Sequence, residues 1–498
     1  MERIENSLLL NEDKMEDIHK STLRILEKIG IQVPNQEVLR ILQKEGARVD
    51  FKTQTAKLPA QLVESCVQRQ LENNRKNRRD DSDPSPSQKR SWMATQPYIL
   101  DYNTYERRPG ELTDLLQAIV VGDRLPFVEK VSCFVIPGNY PQEMSDALSF
   151  YLLYRYSSKR RVFSWFNSLK SAECVIAMAR VVAENEEQFQ NGDLVEYNVE
   201  TISPLRFASH SLEIMLECAK HKVRMSCGPM LMMGASAPMN HLSTMTLENA
   251  EILATLVTII LLNPDNYSFS YIAPAHSMNM QNGICSFGSP NQVLFALIGK
   301  QIADYYGFDQ IVTNCGLSDG ILSDFQSGFE RGVTSIISFL AGIDQPGLMG
   351  IAGADQAASL EQLVIDHEYL SYINFILSRD IASNIDGINL DLIRERGCGG
   401  DFIDISRKQS RDVDFNWHSA IFTADTYPDY LAGGVGAAEK ARETIKGILQ
   451  EAYPPRPAIK PDQCLELDTI LKNHLDTHIV ERFAEELERI TKSGRSND

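Results

Sequence analysis

The sequence predicts an α/β protein built around a TIM, or (β/α)8, barrel with helical extensions at both ends. From about residue 125, short β-rich runs alternate with longer helical stretches, a pattern typical of parallel β/α units. Seven or eight such units in one chain favour closure into a barrel over an open sheet. The predicted regions are an N-terminal helical region at 1–124, the barrel at 125–437 and a C-terminal helical extension at 438–498.

Seven β-rich runs predict the strands: Val128–Ile136, Arg161–Phe166, Asn198–Ile202, Val223–Cys227, Tyr267–Ile272, Gln310–Asn314 and Gly347–Gly350. Helical stretches separate them, among them Phe329–Ala341 and Leu360–Leu377. Ser289 before Pro290 and Ser359 before Gln362 are expected to cap two of these helices. Because each helix begins soon after a strand ends, the intervening loops are predicted to meet at the carboxyl ends of the strands, where barrel enzymes carry their chemistry.

The N-terminal region is predicted to be helical, with Asn11 capping a first helix that ends at Gly30. Residues 72–90 contain no aliphatic or aromatic residue and mix charge with Pro and Ser. This composition predicts an exposed, mobile loop.

Composition narrows the class of protein. The 49 basic and 67 acidic residues give a net charge of −18, which argues against nucleic acid or an anionic membrane as partner. The N-terminus lacks an apolar segment of signal-peptide length, and the aliphatic run 252–262 is shorter than a membrane span. Nine scattered cysteines without a C-x-x-C motif predict reduced thiols, a cytoplasmic location and no cysteine-rich metal site.

Four segments carry a family resemblance when they are taken in order. They are Pro97–Asp101 with Glu106–Gly110, Gly228–Pro238 with Leu247–Glu251, Gly283–Pro290, and Gly316–Asp319 with Asp324–Glu330. Together they resemble the trimethylamine methyltransferase family over residues 15–455. Two departures concern the substrate: no histidine-rich segment follows Gly397–Gly400, and the usual glycine-rich lead-in to Pro97 is missing.

The resemblance implies a TIM barrel that moves a methyl group from a methylated amine to the Co(I) of a separate corrinoid protein. The corrinoid (cobalamin) would be supplied by that partner, with no cofactor held tightly by this chain, and a homo-oligomer is expected. Because the chain contains only standard residues, it resembles the branch without pyrrolysine, which acts on quaternary amines such as glycine betaine. When a quaternary amine loses a methyl group, the leaving group is a neutral tertiary amine. The reaction therefore requires no acid–base pair.

Binding a permanent cation calls for aromatic faces. The candidates for substrate binding at predicted strand ends and loops are Tyr98, Trp165, Phe166, Tyr271 and Phe287. Trp165 and Phe166 form the strongest pair, because they fall where a strand is predicted to leave the barrel. Core packing is the alternative for each of them.

Polar candidates complete the predicted site. Arg206 and His276 are the expected donors to a betaine carboxylate, although either could be a solvated loop residue. Asp319 and Gln326 are predicted to act in the site, as orienting groups in the loop after a strand, whereas Asp324 is predicted to cap a helix.

Two other functions stay open at this point. The chain could be a non-catalytic betaine-binding barrel, because the nucleophile belongs to the partner. It could also be a barrel lyase or hydrolase that uses Asp319 and Glu330, for which a bell-shaped pH profile or a metal requirement would be evidence.

Overall fold

Strands and helices alternate through the middle of the chain, as predicted for an α/β protein. The computed structural model describes residues 9–77, 88–159, 163–192, 194–264, 267, 269–308, 311–343, 345, 347–378, 389–405 and 417–493.

Eight short parallel strands form the centre of the molecule: β1 Ser91–Met93, β2 Val128–Lys130, β3 Phe163–Ser164, β4 Glu196–Val199, β5 Arg224–Cys227, β6 Tyr271–Ile272, β7 Ile311–Val312 and β8 Leu348–Met349. They pair in the orders β8-β1-β2 and β3-β4-β5-β6-β7. An isolated parallel bridge from Val312 to Gln345 links the two sheets just before β8. At the other junction the Val131 N–H donates to the Lys159 carbonyl at 3.5 Å.

A long helix follows each of these strands: Leu112–Arg124, Gln142–Tyr156, Leu169–Val182, Ser209–His221, His241–Leu262, Pro290–Tyr305, Phe325–Leu340 and Leu360–Leu377, with the short Glu186–Gln190 helix after the third. The predicted caps at Asp324 and Ser359 are confirmed, since each side chain accepts the N–H three residues on, at 3.2 Å. Ser289 does precede Pro290 at a helix start, but its hydroxyl makes no cap and lies 3.4 Å from Ser277 Oγ.

Strand β1 lies on the N-terminal side of residue 125, where the sequence predicts the barrel to begin. The sequence pattern did not reveal it, because the strand is three residues long and follows a charged segment. Strands β2 to β8 all overlap runs that the sequence predicted.

The N-terminal region packs on the His241–Leu262 helix. It contains the helices Glu12–Arg24, Ile25–Ile29 (a π-helix), Gln36–Lys44 and Ala60–Asn77, and an antiparallel sheet of Ile31–Gln32, Thr55–Lys57 and Arg48–Asp50. The last of these helices continues through residues 72–77, which corrects the predicted loop there. Residues 78–87 of that loop lie outside the described residues.

The His241–Leu262 helix is long and apolar enough to cross a membrane by length and composition alone. However, 83% of its apolar window is buried within the fold. It therefore has the position of a core helix between the sheet and the N-terminal region.

The C-terminal region packs on the outside of other helices. Ala437–Ala452 lies against the helices after β8 and β1, and Pro461–His474 lies against the helix after β3. In Thr477–Ser493, Phe483 packs edge-on to Tyr140 and Tyr151. Two short helices, Leu390–Arg396 and Tyr427–Leu431, precede this region in the chain.

Two small sheets lie in the loops at the carboxyl ends of the strands. One combines strands from the loops after β1 and β8: Tyr98–Leu100, Arg107–Pro109, Ile351–Ala352 and Ala357–Ala358. The other combines strands from the loops after β5 and β6: Met232–Met233, His276–Met278 and Cys285–Ser286. These two sheets flank the carboxyl ends of strands β1 to β8. We call this end of the central strands, together with the loops that follow them, the mouth.

Candidate functional site

Strand β4 directs polar side chains to the inner face of the sheet. Side chains alternate along a strand. Tyr197 stacks on Phe166 towards the helices, with ring centroids 5.3 Å apart, so its neighbours in sequence face inwards. Among these, Glu196 pairs with Arg224 of β5 at 3.5 Å, and Asn198 accepts a hydrogen bond from Ser226 of β5 at 3.3 Å.

Glu200 continues this inward series at the mouth, just beyond the end of β4. Its side chain is exposed to solvent. Burial raises the pKa of the carboxyl to about 7; the Trp165 indole N–H lowers it, and the nearby charge of Asp355 raises it further. Glu200 is therefore partly protonated near neutral pH.

Asp355 reaches the same site from the loop after β8. Its backbone has a φ of 56°, in the left-handed region that aspartate tolerates better than most residues. The Gln96 side-chain amide donates to its Oδ1. Burial raises the pKa of Asp355, and the Gln96 hydrogen bond lowers it. Loops after β1, β3, β4 and β8 thus bring two carboxyls, an amide and an indole together.

A cavity adjoins this group through Trp165. Trp92, Met93, Thr95, Lys130, Ser132, Trp165 and Leu348 line the cavity. The Lys130 ammonium lies 3.8 Å from the Trp92 ring centroid, a cation–π contact. Trp165 therefore has the cavity on one side and the Glu200 carboxyl on another.

Glu251, in the helix after β5, fixes the loop that follows Glu200. Its carboxylate accepts hydrogen bonds from the Thr201 hydroxyl, from the Ser203 hydroxyl at 2.8 Å and from the Leu205 N–H at 2.8 Å. Glu251 is the last residue of the Leu247–Glu251 motif, and its side chain fixes residues 201–205 next to the site. This contact explains part of the motif.

Asp319 joins the loops after β6 and β7. Its carboxylate accepts from the Ser286 hydroxyl at 2.5 Å, the Phe287 N–H at 2.7 Å and the Gly288 N–H at 3.0 Å. The geometry therefore gives this predicted catalytic residue a positioning role.

Gln326, the other predicted catalytic residue, is exposed and donates to Glu330 Oε1 at 2.9 Å. The second oxygen of Glu330 accepts from the Ser318 hydroxyl at 2.6 Å and from the Asp319 N–H at 2.9 Å. Gln326 and Glu330 are thus connected to the rim of the mouth through the loop after β7.

Three predicted aromatic residues lie in packed layers instead of facing the inner side of the sheet. Phe166 stacks on Tyr197 towards the helices, because it follows the inward Trp165 along the strand. The Tyr271 hydroxyl donates to Asn249 in the His241–Leu262 helix at 3.0 Å. Phe287 is buried against the His276 ring, with centroids 5.3 Å apart. The contacts of all three rings therefore fit core packing, the alternative that the sequence left open.

The predicted donors to a substrate carboxylate do not join the Glu200–Asp355 group. His276 is 2% exposed, and burial lowers its pKa, so the ring is uncharged at neutral pH. Arg206 is exposed, and its backbone bridges to Gln32 of the N-terminal sheet. The face of Tyr98 is also taken, since the Arg107 guanidinium lies 3.9 Å from its ring centroid.

Sequence reasoning missed Glu200, Asp355 and Gln96. A signal for Glu200 was present: Glu196, Asn198 and Glu200 repeat with a period of two along an apolar strand, which places three polar groups on one face. Within the described ranges, no group of three or more His, Cys, Asp or Glu side chains has the arrangement of a metal site.

Acidic and aromatic side chains at the carboxyl ends of parallel strands form the candidate site of this α/β protein, and such groups suit a small cation. The family model for trimethylamine methyltransferase (MTTB) matches residues 1–475. The chain belongs to this trimethylamine methyltransferase family, as the sequence motifs predicted.

Curated relatives extend over almost the whole chain. Trimethylamine methyltransferase MttB of Desulfitobacterium hafniense (strain DSM 10664 / DCB-2) is 25% identical over 452 residues, covering 90% of each chain. Glycine betaine methyltransferase of Desulfitobacterium hafniense (strain Y51) is 23% identical over 478 residues, covering 91% of this chain and 94% of the relative. The crystal structure of the Methanosarcina barkeri monomethylamine methyltransferase aligns over 89% of this chain and 88% of that one, with 9% identity and a TM-score of 0.45.

Proposed function

We propose that this protein transfers a methyl group from a methylated, cationic amine, in particular a quaternary amine, to the Co(I) of a separate corrinoid protein. One observation carries the proposal: two carboxyls, Glu200 and Asp355, meet the Trp165 indole at the mouth in a member of a methylamine methyltransferase family. Carboxylates and aromatic faces are the groups that bind ammonium cations.

We further propose that the two parallel sheets close into a (β/α)8 barrel. Each of the eight strands is followed by a helix, the pairing follows chain order, and the Val312–Gln345 bridge connects β7 to the approach to β8. In such a barrel the loops after the strands carry the active site. Glu200 and Asp355 both lie in loops of this kind.

The proposed reaction is an in-line displacement at a methyl carbon. The carbon–nitrogen bond breaks and its electron pair stays with the nitrogen, which leaves as a neutral tertiary amine. A Co(I) corrinoid of a partner protein would be the methyl acceptor and would supply the attacking electron pair. The reaction of a quaternary amine releases no proton and needs none.

The chain's own residues would bind and orient the substrate. The positive charge on nitrogen disappears during the reaction, so the carboxylates stabilise the bound substrate more than the transition state. Their contribution to rate is therefore positional: they hold the ammonium head so that one methyl group points out of the mouth. The Trp165 ring would contact the ammonium group of the substrate from one side and limit its movement.

The hydrolase or lyase alternative lacks support in the geometry. Asp319 and Glu330, which would act as the catalytic acids or bases of such an enzyme, use their carboxylate oxygens to accept loop hydrogen bonds.

All nine cysteines are free thiols, in keeping with the proposed cytoplasmic location.

The test is methyl transfer with the full-length protein. A quaternary amine is added to a Co(I) corrinoid protein, with free cob(I)alamin as a second acceptor, and the absorbance change on cobalt methylation is followed. We expect methylation that depends on this protein, and a kcat/KM at least about tenfold lower in Glu200→Gln and Asp355→Asn. Glu217→Gln, whose parent residue pairs with Lys220 and His221 in the helix after β4, serves as the control and should keep the wild-type rate. Tight binding of several quaternary amines without methylation of either acceptor would refute the proposal.

A further inference from the structure

The cavity beside Trp165 contains a positively charged side chain and two hydroxyl groups. Lys130, Ser132 and Thr95 line it together with the Trp92 and Trp165 rings. These residues belong to the ends of β1 and β2 and to the loops that follow β1, β2 and β3. Because a few polar groups converge between large apolar side chains, the cavity has the composition of a binding site for a small ligand.

Trp92 holds the Lys130 ammonium at this cavity. The ammonium nitrogen lies 3.8 Å from the centroid of the Trp92 ring, and the N–H at the edge of the same ring donates to Glu129 Oε2 at 3.3 Å. A ring face attracts a cation without accepting a conventional hydrogen bond from it. Since an ammonium group has three N–H donors, Lys130 can donate to an anion in the cavity while it keeps its contact with the ring.

The two hydroxyl groups differ in what they offer an anion. The Ser132 hydroxyl donates to the Ala94 carbonyl, so its proton is already engaged. The Thr95 hydroxyl has no hydrogen-bond partner among the residues that the structure describes, and Thr95 is only partly buried. An anion in the cavity would therefore meet two donors, the charged Lys130 and the neutral Thr95.

The size of the cavity limits what can enter it. The empty space is about 260 Å³ when the part open to solvent is included, and the enclosed part admits little more than one water-sized group. A carboxylate oxygen is of this size, so it fits while the rest of the molecule stays beside Trp165. A trimethylammonium group is larger, and the charge of Lys130 would repel it.

We propose that Lys130 determines substrate specificity: its ammonium and the Thr95 hydroxyl bind a carboxylate in the tail of the substrate, whose quaternary head lies against Trp165. The quaternary head comes from the proposed function, on which this inference rests. The cavity adds the chemical class of the tail, so that the preferred substrate is a zwitterion. Arg206 and His276, which the sequence favoured as donors to such a carboxylate, lie elsewhere.

Side chains of opposite charge on two sides of Trp165 match a zwitterion. Lys130 lies on the cavity side, and the Glu200 carboxyl lies on another side of the indole. A zwitterion beside this ring directs its cation towards the carboxyl and its anion towards the ammonium, so both ends are attracted. Choline has the same head but a neutral tail, so it gains this attraction at one end only.

Calorimetric titration of the full-length protein with glycine betaine and choline tests the role of Lys130. For the wild type we expect glycine betaine to bind at least about tenfold more tightly, because only its carboxylate receives a charge-assisted hydrogen bond. Lys130→Met keeps an unbranched apolar side chain and removes the charge, so it should raise the dissociation constant of glycine betaine at least about tenfold. The dissociation constant of choline should stay the same or fall, because a positive charge has been removed near a cation.

Two further variants separate the loss of a binding group from a loss of folding. Thr95→Val removes one hydroxyl and little volume, and it should raise the dissociation constant of glycine betaine about 3- to 10-fold without changing that of choline. This variant tests the inference if Lys130→Met does not fold. Lys220→Met is the matched control and should keep both wild-type affinities, because Lys220 is exposed and pairs with Glu217 in the helix after β4.

The results distinguish this inference from the proposed function. Choline binding as tight as that of glycine betaine in the wild type, no binding of glycine betaine, or an unchanged preference in Lys130→Met would each overturn the inference. Glycine betaine binding that depends on Lys130, without methylation of either corrinoid acceptor, would refute the proposed function alone. Methyl transfer from a quaternary amine with equal kcat/KM in the wild type and in Lys130→Met would refute this inference alone.

Discussion

Carboxylates around the mouth are used in two different ways. Glu251, Asp319 and Asp366 lie in the walls, and each accepts several hydrogen bonds that join separate loops or helices. Glu200 and Asp355 are exposed at the mouth, where the Gln96 amide donates to Asp355 and the charge of Asp355 raises the pKa of Glu200.

The comparison separates structural charge from charge available to a ligand. A wall carboxylate is stabilised by the chain's own donors, so its removal should weaken the fold. The charge of a site carboxylate is only partly compensated, so its removal should weaken binding and leave the fold intact or firmer. Residue type alone would not distinguish the two groups, whereas burial does, because Glu251 and Asp366 are fully buried and Glu200 and Asp355 are exposed.

The largest effect is expected from Asp366→Asn in the wall. Arg331 is 1% exposed and Asp366 is fully buried, and the same carboxylate also accepts the Gly350 N–H and the Gln362 amide, both at 2.7 Å. Loss of the charge leaves a buried guanidinium without its counter-ion, which costs about 3–5 kcal/mol of unfolding free energy. Urea denaturation followed by circular dichroism measures it.

A matched control exists on the surface. Asp391 pairs with Arg394 at 3.0 Å, and both side chains are exposed. Asp391→Asn should change the unfolding free energy by less than about 1 kcal/mol. If Asp366→Asn were equally mild, the wall carboxylates would not be structural and the comparison would fail.

Asp319→Asn is expected to rank second. The amide oxygen can still accept from the Phe287 and Gly288 N–H groups, but the N–H₂ group then replaces the oxygen that accepts from the Ser286 hydroxyl, so that hydrogen bond is lost or reversed and the other two lose the negative charge of their acceptor. The expected cost is about 1–3 kcal/mol in unfolding free energy. Denaturation and ligand titration should be measured on the same preparation. Normal stability together with a severe loss of methyl transfer would make Asp319 a catalytic residue, as the sequence predicted, and not a wall residue.

Trp165→Leu and Phe166→Leu compare adjacent aromatic residues on opposite faces of one strand end. Trp165→Leu removes a face from the cation site, so the dissociation constant for a quaternary amine should rise by about 2- to 30-fold, from about 0.5–2 kcal/mol of cation–π interaction. Phe166→Leu should leave that constant unchanged and lower the unfolding free energy by about 1–2 kcal/mol, because the ring packs between Tyr197 and Phe150. The reverse result would place Phe166 in the site.

These adjacent residues show how far the sequence could predict the molecule. Alternating patterns predicted strands β2 to β8 and the bounds of the Leu360–Leu377 helix, since periodicity and capping are local properties. The side that each aromatic residue faces depends on the pleat, and a shift of one residue exchanges the inner and outer sides.

The site itself depends on contacts between distant parts of the chain. Glu200 follows β4 and Asp355 follows β8, about 150 residues apart in the sequence, and the donors to Asp319 come from the loop after β6. No local pattern shows which carboxylates will receive such donors. Sequence reasoning could therefore place the site at the carboxyl ends of the strands but favoured Asp319 over Glu200.

The smallest effect is expected from Glu200→Gln, and it has the opposite sign to the wall variants. The folded-state pKa of Glu200, about 7, lies above its ordinary value of 4.5, so the folded protein holds a proton that the unfolded chain loses in this range. Stability from this group is complete below pH 4.5 and is lost as the pH rises to 7. Because the carboxyl is solvent-accessible, screening reduces the effect of its charge on stability. The glutamine should therefore raise the melting temperature by about 1–2 °C at pH 8 without ligand, and should not change it at pH 4.5.

Thermal melts at both pH values measure this difference. Glu251→Gln is the wall counterpart and should lower the melting temperature at pH 8. A lower melting temperature for Glu200→Gln at pH 8 would mean that the fold depends on this charge, and Glu200 would then belong with the wall carboxylates.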